Sequence, residues 1–194
     1  APLTLVARTS VGYLEEAGSW RAWLLRAIAG SPEQVQILYG GNGERRLDEY
    51  ELPWLKGYEN SSPVRIGNAA AGQFQLDVFG EVLSSMYHAH RAGIKMDKTA
   101  WALQVSLLGY LEKHWNRPDE GIWEMRGGRR HFTHSKMMAW VAFHRAVQLE
   151  EKYGYAGRGQ LERWRELRDK IHAQGCRRGF DPRHRGQSAG GDPV

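Results

Sequence analysis

Cysteine is nearly absent from this sequence, and long apolar runs are missing altogether. The single cysteine, Cys176, excludes an internal disulfide and a zinc site built on cysteines. No apolar run reaches the roughly 18 residues that a membrane-spanning helix needs, so we expect no membrane partner. The opening stretch APLTLVARTSV lacks the charged start and long apolar centre of a signal peptide. These absences predict a soluble, cytoplasmic protein.

Motifs for metals and nucleotides are also missing. No HExxH or related ligand pattern occurs, and His131 and His134, three residues apart, have no carboxylate at ligand spacing. His144 lies on the apolar stripe of a predicted helix, which is more typical of a core histidine than of a ligand. The glycine-rich GGNG precedes the polar stretch ERRLDE instead of the helix of a phosphate-binding loop. We therefore expect no metal and no cofactor.

The charge excess is small and unevenly placed. Lys and Arg number 27 against 22 for Asp and Glu, a net charge of +5. Much of the excess lies at the C-terminal end, where one acidic residue, Asp181, stands among Arg177, Arg178, Arg183 and Arg185. A basic tail can bind nucleic acid, but it is more often simply solvated. We expect no nucleic-acid partner.

Apolar periodicity predicts a helical domain, for which the chain is long enough. The segment VQILYG (35–40) alternates like a short strand, and Asp97 is placed to cap a helix. An all-α domain with short β-hairpins in the interhelix loops follows, and periodicity alone leaves bundle, solenoid and toroid open. The predicted helices cover about residues 11–29, 68–93, 98–115, 134–153 and 157–174.

The stretch PDEGIWEMRGGRRHFTHSK (118–136) has two interpretations. Trp123 before Glu124 suits a sugar site, because an indole offers a flat face to a pyranose ring and favours the protonated form of a neighbouring carboxyl. A protonated carboxyl can donate to a glycosidic oxygen. Asp119 and Glu120 would supply like charge acting in the same direction. The alternative is a surface hairpin, IWEMR-GG-RRHFT, with its charges in water. From the residues alone we favour the hairpin.

Two further stretches could contact sugars. In RIGNAAAGQFQLD (65–77), amide and carboxylate groups lie among small residues that permit close approach, although an N-cap asparagine with an exposed polar face explains them equally well. Arg45 and Arg46 precede the segment LPWLKGYE, which contains Trp54 and Tyr58. That segment is either a carbohydrate subsite or a loop anchored by two aromatic side chains, and we slightly favour the second.

Three long strings of the sequence carry a family resemblance: GYLEEAGSWRAWLLRAIAGSPEQVQILYG, GERRLDEYELPWLKGYENSSPVRIGNAAAGQFQLDVFGEVL and PDEGIWEMRGGRRHFTHSKMMAWVAFHRAV. They resemble the bacterial branch of glycoside hydrolase family 15, which holds glucoamylase-like α-glucosidases and trehalase-like enzymes, and the similarity covers roughly residues 11–182. The resemblance implies an (α/α)6 toroid, inverting chemistry and an α-linked glucoside or glucan as substrate.

The resemblance also implies roles for single residues. The Trp-Glu pair of GIWE matches the family's pair that holds the general acid, so Glu124 is the expected catalytic acid and Trp123 its sugar-contacting neighbour. Further positions match stretches that line the family's pocket and are expected to bind substrate: Asn68, Gln73, Asp77 and Lys136.

The chain departs from the family at both ends. Residues 1–10 form an atypical segment, 11–182 a partial (α/α)6 domain with about half the helices, and 183–194 a basic low-complexity tail. The family's general-base glutamate has no counterpart here, and one carboxyl cannot be both acid and base in an inverting site. We expect a hydrolase that is impaired or inactive as an isolated chain and prone to self-association through bare apolar faces. The alternative is a non-catalytic carbohydrate-binding or interaction remnant.

Overall fold

The computed structural model describes residues 2–125 and 127–179. Helices dominate the described part, and its one sheet pairs the short strands β1 (Tyr50–Glu51) and β2 (Arg65–Ile66) in antiparallel fashion. The predicted all-α fold with short hairpins between helices is therefore confirmed. The helices are α1 (Pro2–Ser10), α2 (Leu14–Ala27), α3 (Asp77–Arg91), α4 (Lys98–His114), α5 (Thr133–Tyr153) and α6 (Arg158–Arg178).

Helices with strong local signals lie where the sequence predicts them. The Asp97 side chain accepts a hydrogen bond from the Ala100 amide at 2.8 Å and caps α4. Helix α5 begins one residue before its predicted start and ends at Tyr153, and the left-handed backbone of Gly154 forms its C-cap. Local capping and periodicity are sufficient to define these two helices.

Two local predictions are wrong. The helix predicted from residue 68 begins only at Asp77, because Asn68 caps a separate 3₁₀ turn over Ala69–Gly72 and the chain is extended at Gln73. The strand predicted over 35–40 pairs with no other strand in the described chain. A turn explains the second error, because the Gly40 amide donates to the Glu44 carbonyl at 2.9 Å and bends the chain back on itself.

Helix α1 falls in the stretch that sequence reasoning treated as atypical. Its Leu5 side chain is completely buried, and the helix packs on α2 and α3. The division of the chain at residues 10 and 182 stays a prediction, and the predicted tail at 183–194 lies outside the described residues.

The core forms where α3 and α6 pack on α5. Gly80 of α3 lies directly over the Met138 backbone carbonyl, and a Cβ atom at that position would collide with it. Trp164 and Ile171 of α6 are almost fully buried. This packing places the start of α3 beside the start of α5, with the loop that follows α4 next to both. No helix in the described ranges is long and apolar enough to cross a membrane.

Candidate active-site loop

The loop between α4 and α5 is closed at its base by one pair of backbone hydrogen bonds. The Asp119 amide donates to the Arg130 carbonyl at 2.9 Å, and the Arg130 amide donates back at 2.8 Å. We call residues 119–130 the acid loop. A continuous hairpin through IWEMR and RRHFT does not form in the described part of the loop, where residues 121–124 are a turn. The strand pairing of the surface-hairpin alternative is therefore not formed in the described residues, although the loop lies on the surface, as that alternative also has it.

The acid loop lies against residues 73–76, which we call the substrate segment. The Leu76 amide donates to Asp119 Oδ2 at 2.9 Å, and the Phe74 amide donates to Glu120 Oε2 at 2.8 Å. The Glu120 amide donates to the Phe74 carbonyl at 3.1 Å. Gln73 Nε2 donates to the Met125 carbonyl at 3.3 Å. Two stretches that sequence reasoning selected separately are thus in direct contact.

Two arginines lie over the Phe74 ring, and the Glu120 carboxylate accepts from one of them. The Arg117 and Arg129 guanidinium groups lie over the ring, 5.3 and 5.4 Å from its centre. Arg129 Nε also donates to Glu120 Oε1 at 2.9 Å. Both carboxylate oxygens of Glu120 are therefore engaged, one by the Phe74 backbone and one by Arg129.

Trp123 and Glu124 lie at the outer turn of the acid loop. The Trp123 side chain is 81% exposed and Glu124 is exposed as well, so the indole does not shield the carboxyl from water. Glu124 has φ +52°, in the left-handed region that few non-glycine residues adopt. Its amide donates to the Gly121 carbonyl at 3.1 Å, which closes the turn. The pair is presented to solvent on a strained backbone.

Lys136 and Asn68 hold backbone groups near the loop. The Lys136 side chain is buried, and its Nζ donates to the carbonyls of Trp115 and Arg117 at 2.8 and 2.7 Å, where α4 ends. Asn68 Oδ1 accepts from the Ala70 amide at 2.9 Å. Both side chains organise the main chain beside the substrate segment.

Gln73 and Asp77 connect the substrate segment to the interior. Gln73 Oε1 accepts from Gln75 Nε2 at 2.9 Å. Asp77 is buried at the start of α3, and burial raises its pKa against the opposing effect of His134. Burial likewise raises the pKa of Asp119, against the hydrogen bond from the Leu76 amide. Two buried carboxyls with raised pKa values thus lie beneath the loop.

The segment containing Trp54 and Tyr58 is not anchored by its aromatic side chains. Trp54 is 72% exposed and Tyr58 is 83% exposed, so the interpretation as an aromatic anchor is wrong. Arg45, which precedes that segment, holds its own part of the chain against the end of α2, because its guanidinium donates to the carbonyls of Ala27, Ala29 and Gln34.

The structure gives no histidine a metal-binding arrangement in the described residues. His144 stacks on Trp140 with ring centres 4.7 Å apart, and burial lowers its pKa. Across residues 2–125 and 127–179, no group of three or more His, Cys, Asp or Glu side chains is arranged to hold a metal ion.

Sequence reasoning missed the structural roles of Asp119 and Glu120. It assigned both side chains an electrostatic influence on Glu124, whereas each accepts a backbone amide of the substrate segment. Two consecutive acids after a helix are consistent with many environments. Nothing in a single sequence identifies amides more than 40 residues away as their partners.

A helical scaffold that presents a Trp-Glu pair beside amide and carboxyl groups is suited to a glycosidase. Comparison with known proteins agrees: the profile of Glycosyl hydrolases family 15 matches residues 2–188. The chain belongs to glycosyl hydrolase family 15.

Several curated relatives are trehalases. The chain is 42% identical over 154 residues to the trehalase of Mycolicibacterium smegmatis, a match that takes in 79% of this chain and 23% of that protein. It is 41% identical over 141 residues to trehalase 1 of Sulfolobus acidocaldarius, covering 71% of this chain and 25% of that protein. The chain thus spans about a quarter of the length of these relatives. No solved structure matches it significantly.

Proposed function

We propose that this chain carries the general-acid side of an inverting α-glucosidase site, with trehalose as the substrate. The contact between the acid loop and the substrate segment carries the proposal, because it holds the loop that contains Trp123 and Glu124 against Gln73. The trehalase relatives support the choice of trehalose over maltose or starch.

In the proposed reaction, Glu124 gives its proton to the glycosidic oxygen as the bond between that oxygen and the anomeric carbon breaks. A water attacks the anomeric carbon from the opposite face and loses its proton to a second carboxylate. The first-formed product from the attacked ring is β-glucose. Trp123 offers its exposed indole to the sugar, and Gln73 is proposed to contact hydroxyl groups. Asp77, which is buried at the start of α3, is proposed to support the pocket from beneath. Asn68 and Lys136 contribute by holding the backbone of the pocket.

The second carboxylate is the difficult part of this mechanism. An inverting site needs its two carboxyls about 6.5–9.5 Å apart with a water between them. Asp119 is completely buried, and both oxygens of Glu120 already have hydrogen-bond donors. Neither is free to activate a water. We propose that the general base comes from sequence outside these 194 residues, which leaves the isolated chain impaired.

Glucose release from trehalose, maltose and soluble starch tests whether the general acid and the general base lie on separate parts of the protein. With the 194-residue chain alone, release at background level is expected. Robust turnover that disappears in Glu124→Gln would place a base within this chain and would contradict the proposal. Calorimetry with trehalose then shows whether the same chain has a sugar-binding site, which binding would demonstrate and absence of binding would contradict.

A matched pair of tryptophan variants makes the binding measurement specific. Trp123→Ala is expected to abolish trehalose binding, since it removes the stacking surface beside Glu124. Trp54→Ala removes a similarly exposed indole from the segment that the sequence leaves open as a carbohydrate subsite, and unchanged binding in this variant is expected if the acid loop alone holds the sugar. Equal binding by both variants and the wild type would contradict a sugar site on the acid loop.

A further inference from the structure

Glu120 links the two halves of the proposed sugar site. Its side chain is only 16% exposed, and its two oxygens accept from different donors, the Phe74 backbone amide at 2.8 Å and Arg129 Nε at 2.9 Å. We infer that Glu120 is a positioning residue whose carboxylate holds the acid loop against the substrate segment and thereby fixes Glu124 relative to Gln73. The role of Glu120 in sugar binding rests on the proposed function, whereas the hydrogen bonds that it makes do not.

Several further hydrogen bonds in the described part of the acid loop join neutral groups, among them the one that the Glu120 amide donates to the Phe74 carbonyl at 3.1 Å. Inside the loop, the Glu124 amide donates to Gly121 at 3.1 Å and the Met125 amide donates to the Glu120 carbonyl at 3.3 Å. The further side-chain link, from Gln73 Nε2 to the Met125 carbonyl, is exposed and also 3.3 Å long. Hydrogen bonds to an ionised carboxylate are shorter and roughly twice as strong as neutral ones. Glu120 therefore provides the carboxylate restraint nearest in sequence to the turn that carries Trp123 and Glu124, while the Asp119 carboxylate, which accepts from the Leu76 amide at 2.9 Å, acts at the base of the loop.

Removing the Glu120 carboxylate would leave its partners without compensation. The partly buried Phe74 amide would lose its acceptor, and a buried donor without an acceptor is destabilising. Arg117 and Arg129 both lie over the Phe74 ring, and their like charges would lose the carboxylate that accepts from Arg129. A solvent-exposed surface ion pair would have neither consequence. Glu120 is thus distinguished from an ordinary surface carboxylate by the backbone amide that it accepts.

Hydrogen exchange measured by mass spectrometry tests the restraint directly and requires no sugar. The loop peptide 121–125 is expected to exchange about tenfold faster in Glu120→Ala, with α5 peptides unchanged. Glu120→Gln keeps one oxygen for the Phe74 amide and is expected to give about a threefold acceleration. Glu112→Gln is the matched control, because Glu112 also pairs with an arginine, Arg163 at 2.6 Å, between α4 and α6.

Two exchange results would overturn the inference. One is unchanged loop exchange in both Glu120 variants, and the other is equal acceleration in the loop and in α5, which would indicate a purely global role. If Glu120→Ala does not fold, the milder Glu120→Gln variant decides by the same criteria.

Trehalose affinity tests whether the restraint serves the sugar site. Glu120→Ala is expected to bind trehalose about tenfold more weakly at a temperature at which circular dichroism shows the variant still folded, while Glu112→Gln binds as the wild type does. A loop that loosens without any change in affinity would overturn the positioning role. Failure of the wild type to bind trehalose would instead count against the proposed function, and the exchange data would still decide whether Glu120 restrains the loop.

Discussion

Glu120 Oε2 accepts a hydrogen bond of 2.8 Å from the Phe74 backbone amide, 46 residues earlier in the chain. The neighbouring Asp119 does the same for Leu76 across 43 residues. These two contacts join a loop after α4 to a segment before α3. They turn two separate stretches of sequence into one candidate site.

The left-handed backbone at Glu124 indicates that the residue proposed as the general acid lowers the stability of the fold. Asparagine tolerates this region better than other non-glycine residues, so Glu124→Asn should relieve strain that Glu124→Gln retains. We expect the Asn variant to have the larger free energy of unfolding, by about 0.5–1 kcal/mol. Urea denaturation compares the two variants, neither of which has the carboxyl. A Gln variant as stable as the Asn variant would show that the backbone at Glu124 is unstrained.

Asp119 predicts a specific dependence of stability on pH. Burial raises its pKa in the folded protein. A raised folded value gives a stabilising contribution that is complete below the unfolded pKa of about 3.9 and is lost as pH rises through the folded value. Asp119→Asn cannot ionise but keeps an oxygen for the Leu76 amide.

The free energy of unfolding of the wild type, relative to Asp119→Asn, should therefore increase as pH falls from about 7 towards 4. Denaturation curves at a series of pH values measure this difference. A flat difference, or one that decreases towards low pH, would contradict the assigned direction.

Two glycines in the acid loop should respond differently to alanine. Gly121 has φ +67°, and an added Cβ would lie 2.7 Å from the Phe132 ring. A Cβ on Gly127 would meet nothing within 4 Å. We expect Gly121→Ala to lower the free energy of unfolding by about 1–3 kcal/mol and Gly127→Ala to change it by less than about 0.5 kcal/mol. If Gly121→Ala lowered the free energy of unfolding as little as Gly127→Ala does, the turn at Gly121 would not be formed in solution.

Local signals in the sequence account for the helices that it predicts well. Asp97 and the apolar stripe that follows define α4 without help from the rest of the chain. The start of α3 was placed too early because Asn68, a good cap by residue type, caps a short 3₁₀ turn instead. A cap residue indicates that a turn begins, but not how long the helix will be.

The candidate site was only partly accessible to sequence reasoning. Resemblance to a family identified Trp123 and Glu124, whereas their residue types alone favoured a surface hairpin. Strand pairing in the described part of the acid loop is limited to the bridge between Asp119 and Arg130, and amides of the substrate segment also hold the loop in place. Partners so distant in sequence are specified by packing of α3 and α5, which no local pattern encodes.

We propose that the acid loop and the substrate segment together form one sugar site. Trehalose titration of the ¹⁵N-labelled chain, followed by two-dimensional NMR, tests it most directly. The account predicts that the Trp123 indole and the amides of Gln73 and Met125 shift together with a single affinity, while the Trp54 indole does not move. No shift in the acid loop, or shifts confined to the Trp54 segment, would contradict it.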